Sequence, residues 1–397
     1  MTANTTYFPP PGQNWERRAP QELGVDPERL SIAVQFAVDN EVDWPIDLSQ
    51  QDVGEDAGQW ATRLGRFKHR GGPTGVVLRH GYIIAEWGEV GRVDLTYSAT
   101  KSYVATVAGL AFDRGLIQSV DDPVAAAQAG VAIEYSSRAV AAIQRLHNRG
   151  DDAQLNSAGE GIGVDGFDSD HNASITWRQM LQQTNEWQGW LYGKPDIVDW
   201  NRGVETAVVR QERKAPGAHW EYNDVRVNRT ALALLSVWRE PLPVVLKREV
   251  MDPIGASDSW EWHGYDDYST VLVAGAEVES VSGGAHWGGG LWIDSLDHAR
   301  FGLLFASGGA WDGQRVISKD WCRMMREPCP INSGYGFMWW LNTDHERYGA
   351  TASEATFAAS GAGGNSVVCD PERDLVIVTR WCADVSGVVD RVARSVL

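Results

Sequence analysis

At 397 residues, with 43% hydrophobic and 22% charged positions, the chain has the composition of an ordinary soluble globular protein. It is long enough for two domains or for one large fold with an insertion. A formal net charge of −18 argues against nucleic acid or an anionic membrane surface as a partner, and no apolar run is long enough to cross a bilayer.

The opening residues, MTANTTYFPPPGQNWERR, read as an extended lead-in. They lack a basic stretch followed by an apolar one, so no secretory signal and a cytoplasmic location are expected. Asp26-Pro27 supplies an N-cap and a first-turn proline for a helix with apolar positions Leu30, Ala33, Val34, Phe36 and Ala37. Residues 41–73 are polar and mixed, the composition of a loop. Thr74–Leu78 and Tyr82–Trp87 flank Arg79-His80-Gly81, a β-hairpin with glycine in its turn. Through Asp94-Leu95-Thr96 the chain then meets Val104–Ile117, apolar on nearly every side up to Phe112, which predicts a buried helix ending near Gly115.

From about 120 to 250 the pattern is mostly helical, with Ser137–His147, Thr176–Gln183 and Asn228–Trp238 as candidates and glycine- and aspartate-rich loops at 150–172. Strand-like sequence resumes at Gly288–Ile293, followed by a helix at 295–306 capped by Asp294 or Ser295. Tyr335–Leu341 is a further strand candidate. Asn365–Cys369 and Leu375–Trp381 form a second hairpin about the turn Asp370–Asp374, and Val388–Leu397 a last helix. Strands early and late with helices between predict an antiparallel sheet built from both chain ends. On this reading residues 1–118 and 255–397 form an α/β domain, 119–254 a mainly helical insertion, and the site lies at their junction.

The chemistry centres on Tyr97-Ser98-Ala99-Thr100-Lys101-Ser102-Tyr103, at the mouth of the buried helix. Ser98 and Lys101, three residues apart, share one helical face, which brings an amine within reach of a hydroxyl and can activate it as a nucleophile. A helix start also points backbone N–H groups at a developing oxyanion. Two later stretches could complete a site. Pro216–Asp224 is a turn rich in aromatic and polar groups ahead of a helix, which Asp224 could cap. Ser360-Gly361-Ala362-Gly363-Gly364-Asn365 enters the last hairpin, where glycine density permits close backbone approach and strand N–H groups as oxyanion donors.

Taken in this order, the three stretches resemble the penicillin-recognising serine hydrolases: the serine β-lactamases, the DD-peptidases and their esterase and amidase relatives. Ser98 and Lys101 match the family's Ser-x-x-Lys motif. Tyr222-Asn223-Asp224 matches in part the Tyr-x-Asn of the class C branch, and Ser360-Gly361 the motif on the strand that edges the site. Flanking sequence at Leu95–Tyr97, Ile175–Leu181 and Gly290–Leu304 fits as well. The resemblance implies a β-lactamase/transpeptidase-like α/β (α+β) fold, an antiparallel sheet flanked by helices plus an all-helical domain. It implies Ser98, Lys101 and Tyr222 as catalytic residues, with the oxyanion held by Ser98 and by the stretch Ser360, Gly361 and Ala362. His286-Trp287-Gly288-Gly289 is a rival third motif that lies too early in the chain.

Two departures from the pattern carry consequences. Asp224 stands where the family has asparagine. A carboxylate beside Lys101 would keep the amine protonated and a poor base, which favours Tyr222 as the proton acceptor. Ala359-Ser360-Gly361 lacks the basic residue with which antibiotic-binding members meet a substrate carboxylate. The closest pattern is therefore that of the esterases and of amide hydrolases of the nylon-oligomer type. The resemblance implies that the loop carrying Trp187, Trp190 and Tyr192 overhangs the serine and, with Asp224, lines a cleft; aromatic walls suit an uncharged acyl or alkyl group. Trp200 belongs to the same cluster, and Trp339 and Trp340 form another.

No histidine pair has metal-ligand spacing, so neither metal nor cofactor is expected, and His219 reads as a turn residue bonded to backbone. The four cysteines (Cys322, Cys329, Cys369, Cys382) form no Cys-x-x-Cys pair and are expected as free thiols. The sequence thus predicts a serine hydrolase cleaving a small ester or amide through an acyl-Ser98 intermediate. The alternatives are a weak β-lactamase or D-amino-acid peptidase, and a non-catalytic ligand-binding protein on the same fold.

Overall fold

The computed structural model describes residues 6–12, 14–51, 62–147, 163–199, 212–285 and 287–397. Trp200, His286 and the 150–162 part of the predicted loop lie outside the described residues.

The main sheet has six antiparallel strands: β1 (Thr74–Arg79), β2 (Tyr82–Trp87), β3 (Trp340–Leu341), β4 (Phe357–Gly361), β5 (Asn365–Asp370) and β6 (Leu375–Arg380). Their spatial order is β3-β4-β5-β6-β1-β2, so β6 and β1 join the two ends of the chain, with Val76 opposite Val378. Alternation along these strands sends side chains to two cores. On one face Val77, Val368 and Ile377 pack with α1 (Pro27–Asp39) and α5 (Val385–Ser395). On the other, Val76, Val367 and Val378 pack with α2 (Thr100–Asp113) and α4 (Ser295–Ala306).

Local signals set most boundaries. Asp26 caps α1 by accepting from the Glu28 and Arg29 N–H groups. Thr176 and Gln179 close a reciprocal capping box on the short helix Trp177–Leu181. Asp294 rather than Ser295 caps α4. Helix α2 is buried from Thr100 to Ala111 and ends at Asp113, with Gly115 in the left-handed region at φ 68°.

Three elements differ from expectation. Helix α3 (Asp224–Trp238) begins four residues earlier than the apolar pattern implied, because Asn223 caps it by accepting from the Arg226 N–H at 3.0 Å. Only the last two residues of the Tyr335–Leu341 candidate form a strand. Met338 has a φ of 55°, and its N–H bonds to Leu181 and Gly336 instead of to a neighbouring strand. The stretch 119–254 is not purely helical: its Ile133–Tyr135 strand pairs with Thr270–Val273 in a small separate sheet. Among the described residues no helix is long and apolar enough to cross a membrane.

Candidate active site

Ser98 is placed by a short braced segment. The strand Asp94–Leu95 pairs with Gly290–Ile293, and Thr96 and Thr100 join hydroxyls at 3.0 Å. Thr96 Oγ1 donates to the Leu291 carbonyl while the Leu291 N–H donates to Thr100 Oγ1, both at 3.0 Å. Tyr97 then takes a φ of 49°, a strained conformation for a non-glycine residue. It is held by burial, by the edges of Trp44 and Trp381, and by a phenol hydrogen bond to Gln51 Oε1 at 2.9 Å. The kink turns Ser98 outward on the 3₁₀ turn Tyr97–Ala99, so from Asp94 to Ala111 Ser98 alone is not buried.

One helical turn on, Lys101 is 1% exposed, and its Nζ donates to Ser98 Oγ at 2.8 Å. The same ammonium pairs with Asp224 Oδ1 at 2.7 Å and lies 4.9 Å from the centre of the Tyr222 ring. Lys101 and Asp224 are a desolvated ion pair, so removing either charge strands the other in the interior, at a cost of about 3–5 kcal/mol. Asp224 sits at the first position of α3, where the helix dipole favours a carboxylate, and its N–H donates to Asp199 Oδ2 at 2.6 Å. Asn223 is turned away into the helix cap, its amide donating to the Asp196 carbonyl at 2.7 Å. The Tyr-x-Asn-like stretch therefore presents Tyr222 and Asp224 to Lys101, and not Asn223.

Sequence reasoning did not single out the back wall, Ser282–Ala285. Asn228 on α3 fixes it, accepting from the Gly283 N–H at 2.9 Å and donating to the Tyr265 phenol at 2.9 Å. Gly283 and Gly284 aim carbonyls at the site, 3.5 Å from Lys101 Nζ and 3.4 Å from Ser98 Oγ. Gly284 is required there, because a Cβ would lie 1.9 Å from the Tyr97 carbonyl oxygen.

The third stretch closes the site from the sheet. The end of β4 lies so near the Ser98 turn that a Cβ on Gly361 would fall 2.0 Å from Thr96 O and 3.0 Å from the Ser98 nitrogen. Ser360 Oγ is buried with no hydrogen-bond partner among the described residues. Ala362 is exposed just beyond, at the start of the Ala362–Gly364 turn.

The aromatic rings packed around Tyr222 are Trp220, Tyr335 and Trp340. Trp340 stacks on Tyr222 at 5.6 Å, and Tyr335 stands edge-on to Trp340 at 5.0 Å. Burial raises the phenols of Tyr335 and Tyr265 well above the ordinary tyrosine range, so both act as neutral partners, Tyr335 accepting from Gln183 Nε2 at 2.7 Å. Trp187 and Tyr192, expected as cleft walls, are core residues. The Trp187 indole donates to the Gly166 carbonyl at 2.9 Å, and the Tyr192 N–H donates to the Tyr135 phenol at 2.7 Å. Trp190 is half-buried on the small hairpin Trp190–Leu191/Lys194–Pro195, edge-on to His147. The sequence did not mark Tyr335 as a companion of Tyr222, because the segment before strand β3 and the turn before α3 meet only in the fold.

One group among the described residues has metal-ligand character. Donor atoms of Glu186, His219 and Glu221 lie within 4.8 Å of one another. The Arg226 guanidinium already supplies a positive charge there, 3.5 Å from Glu186 and 3.6 Å from Glu221. All four cysteines are buried free thiols.

A serine on a kinked turn, a buried lysine beneath it and a sheet edge across from it stand together in a chain whose antiparallel sheet is flanked by helices. That architecture is the β-lactamase and penicillin-binding-protein fold. The chain belongs to the Beta-lactamase family, whose sequence model matches residues 95–381. No curated protein matches the sequence significantly. Among solved structures, a penicillin-binding protein homolog from Caulobacter crescentus aligns with a TM-score of 0.56 at 15% identity, over 94% of this chain and 99% of that one. A family VIII carboxylesterase aligns at 0.52 and 17% identity over 82% and 92%, respectively. EstCE1, a hydrolase with promiscuous acyltransferase activity, aligns at 0.52 and 15% identity over 93% and 98%.

Proposed function

We propose that this protein is a serine hydrolase that cleaves a small ester or amide through an acyl-enzyme on Ser98. The observation that carries the reading is the position of Lys101, one ammonium in contact with Ser98 Oγ at 2.8 Å, with Asp224 at 2.7 Å and with the face of Tyr222. Lys101, paired with Asp224, orients Ser98 and faces the Tyr222 ring, and Tyr222 is the general base that takes the serine proton. Ser98 Oγ attacks the carbonyl carbon as its proton passes to Tyr222. The oxyanion accepts N–H groups from Ser98 and Ala362. Collapse of the tetrahedral intermediate breaks the bond to the leaving group, which takes the proton from Tyr222. Water then gives a proton to Tyr222 as it attacks the acyl-serine; collapse of the second tetrahedral intermediate releases the carboxylic acid, and Tyr222 returns the proton to Ser98 Oγ.

Esterase and penicillin-binding neighbours on the same fold support this class of chemistry, and the acyltransferase named among them suits an intermediate that another nucleophile could intercept. Turnover of 4-nitrophenyl acetate and butyrate tests the reading. Wild type is expected to release 4-nitrophenol, and Ser98→Ala and Tyr222→Phe to lose activity by about 10²-fold or more. Equal rates in wild type and Ser98→Ala would overturn it.

A further inference from the structure

Trp340, the ring stacked on Tyr222, also carries a cation: the Arg347 guanidinium carbon lies 4.2 Å from its ring centre. Arg347 reaches it from the turn that follows edge strand β3. The arginine is held in place from two sides, its Nε donating to the Tyr348 phenol at 3.2 Å and its carbonyl accepting from Ser386 Oγ at 3.2 Å. Among the described residues, Lys101 pairs with Asp224, and Arg226 and Arg213 pair with Asp196. Arg347 is half-buried and pairs with no carboxylate among the described residues, in a chain whose net charge is −18. The buried Tyr335 phenol feels Tyr222, Asp224 and Arg347 together, which places the guanidinium in the same electrostatic neighbourhood as the site.

An arginine pinned through Nε and stacked on an indole still presents its two Nη groups as a planar fork, the geometry that accepts a carboxylate. We propose that Arg347 is a specificity residue that binds a carboxylate on the substrate's leaving group. The proposal rests on the hydrolase reading above. There, Tyr222 returns a proton to the leaving group, so that group lies beside Tyr222. Trp340 stacks on Tyr222, and Arg347 lies over the Trp340 ring. The substrate class is then an ester or amide of a carboxylate-bearing alcohol or amine, with the acyl part on the Ser98 side. This differs from the uncharged substrate that the aromatic residues alone suggested.

Three esters test it: 4-nitrophenyl butyrate, 3-carboxy-4-nitrophenyl butyrate, whose leaving group is anionic, and 4-nitrophenyl hemiglutarate, whose acyl group is. Relative to neutral butyrate, Arg347→Met is expected to lower kcat/KM for the carboxylated leaving group by about tenfold or more, chiefly through KM, the scale of a lost charge-assisted hydrogen bond. Arg347→Lys, which keeps the charge but not the fork, should restore part of the preference. The hemiglutarate-to-butyrate ratio should not follow. An unchanged leaving-group preference in Arg347→Met, or a loss confined to hemiglutarate, would overturn the assignment while leaving the hydrolase intact. No turnover of any ester by wild type would overturn both.

Discussion

Gly361→Ala isolates the closest approach in the site. Gly361 has φ −127° and ψ 159°, ordinary extended backbone, so alanine there incurs no conformational strain and differs from glycine only in the space it needs. That space is absent. The new Cβ would sit 2.0 Å from Thr96 O, 2.9 Å from the Ala99 nitrogen and 3.0 Å from the Ser98 nitrogen, all backbone atoms that cannot rotate away. Restoring a normal contact requires β4 and the Ser98 turn to separate by roughly 1 Å or more. If the Ser98 and Ala362 N–H groups form the oxyanion pocket, a shift of that size pulls one donor out of range, which costs about 10²–10³-fold in kcat. Overpacking should lower stability by about 1–3 kcal/mol, leaving a folded protein. The assay is stopped-flow release of 4-nitrophenol, read beside far-UV circular dichroism and a thermal melt. The acylation phase should slow by at least about 10²-fold in a folded variant. Acylation within threefold of wild type would refute the pairing of these two elements as the oxyanion site.

Asp224→Asn removes the carboxylate paired with Lys101, so Lys101 should compete with Tyr222 for the serine proton and the pH profile of kcat/KM should change shape, with its acid limb displaced; a superimposable profile would exclude the proposed division of labour. Two buried groups near α4 should govern stability against pH in opposite senses. His298, fully buried with Nδ1 at 2.8 Å from the Tyr103 phenol, has its pKa pushed well below 6.5 by burial and then by Arg380. The unfolded chain therefore binds the extra proton as pH falls below about 6.5, and stability drops there by up to about 1.4 kcal/mol per pH unit. His298→Asn should flatten that slope in urea titrations between pH 5 and 8. Asp294 is raised to about 6 by burial and by Asp297, so here the native state binds the extra proton, and its carboxylate is a penalty that builds as pH rises from about 4 to 6. Asp294→Asn, which can still cap α4, should add up to about 3 kcal/mol at neutral pH and nothing below pH 4; an equal change at both pH values would contradict the assignment.

What could be read from the sequence was whatever is local. The Ser98–Lys101 spacing, the Asp26-Pro27 helix start, the helix expected over Thr176–Gln183 and the two hairpins depend on neighbours a few residues apart, and all appear at or near their expected places. The left-handed Tyr97 was not legible, because nothing in a tyrosine announces a positive φ; the strain is held by Trp44, Trp381 and Gln51, distant in sequence. Trp187 and Tyr192 were misplaced for a related reason. Loop-like periodicity says that a segment is irregular and does not say which side of it is buried, and here the core takes both rings. Trp220, Tyr335, Trp340 and Arg347 converge from three segments, so their neighbourhood exists only once β3 and α3 are in place.

The identity of the nucleophile is tested most directly by intact-mass spectrometry after incubation with a fluorophosphonate, for wild type and Ser98→Ala. Wild type should gain one adduct, mapped by peptide sequencing to Ser98, and Ser98→Ala none. An adduct on another residue, or equal labelling of the variant, would contradict Ser98 as the nucleophile and with it the catalytic reading of this site.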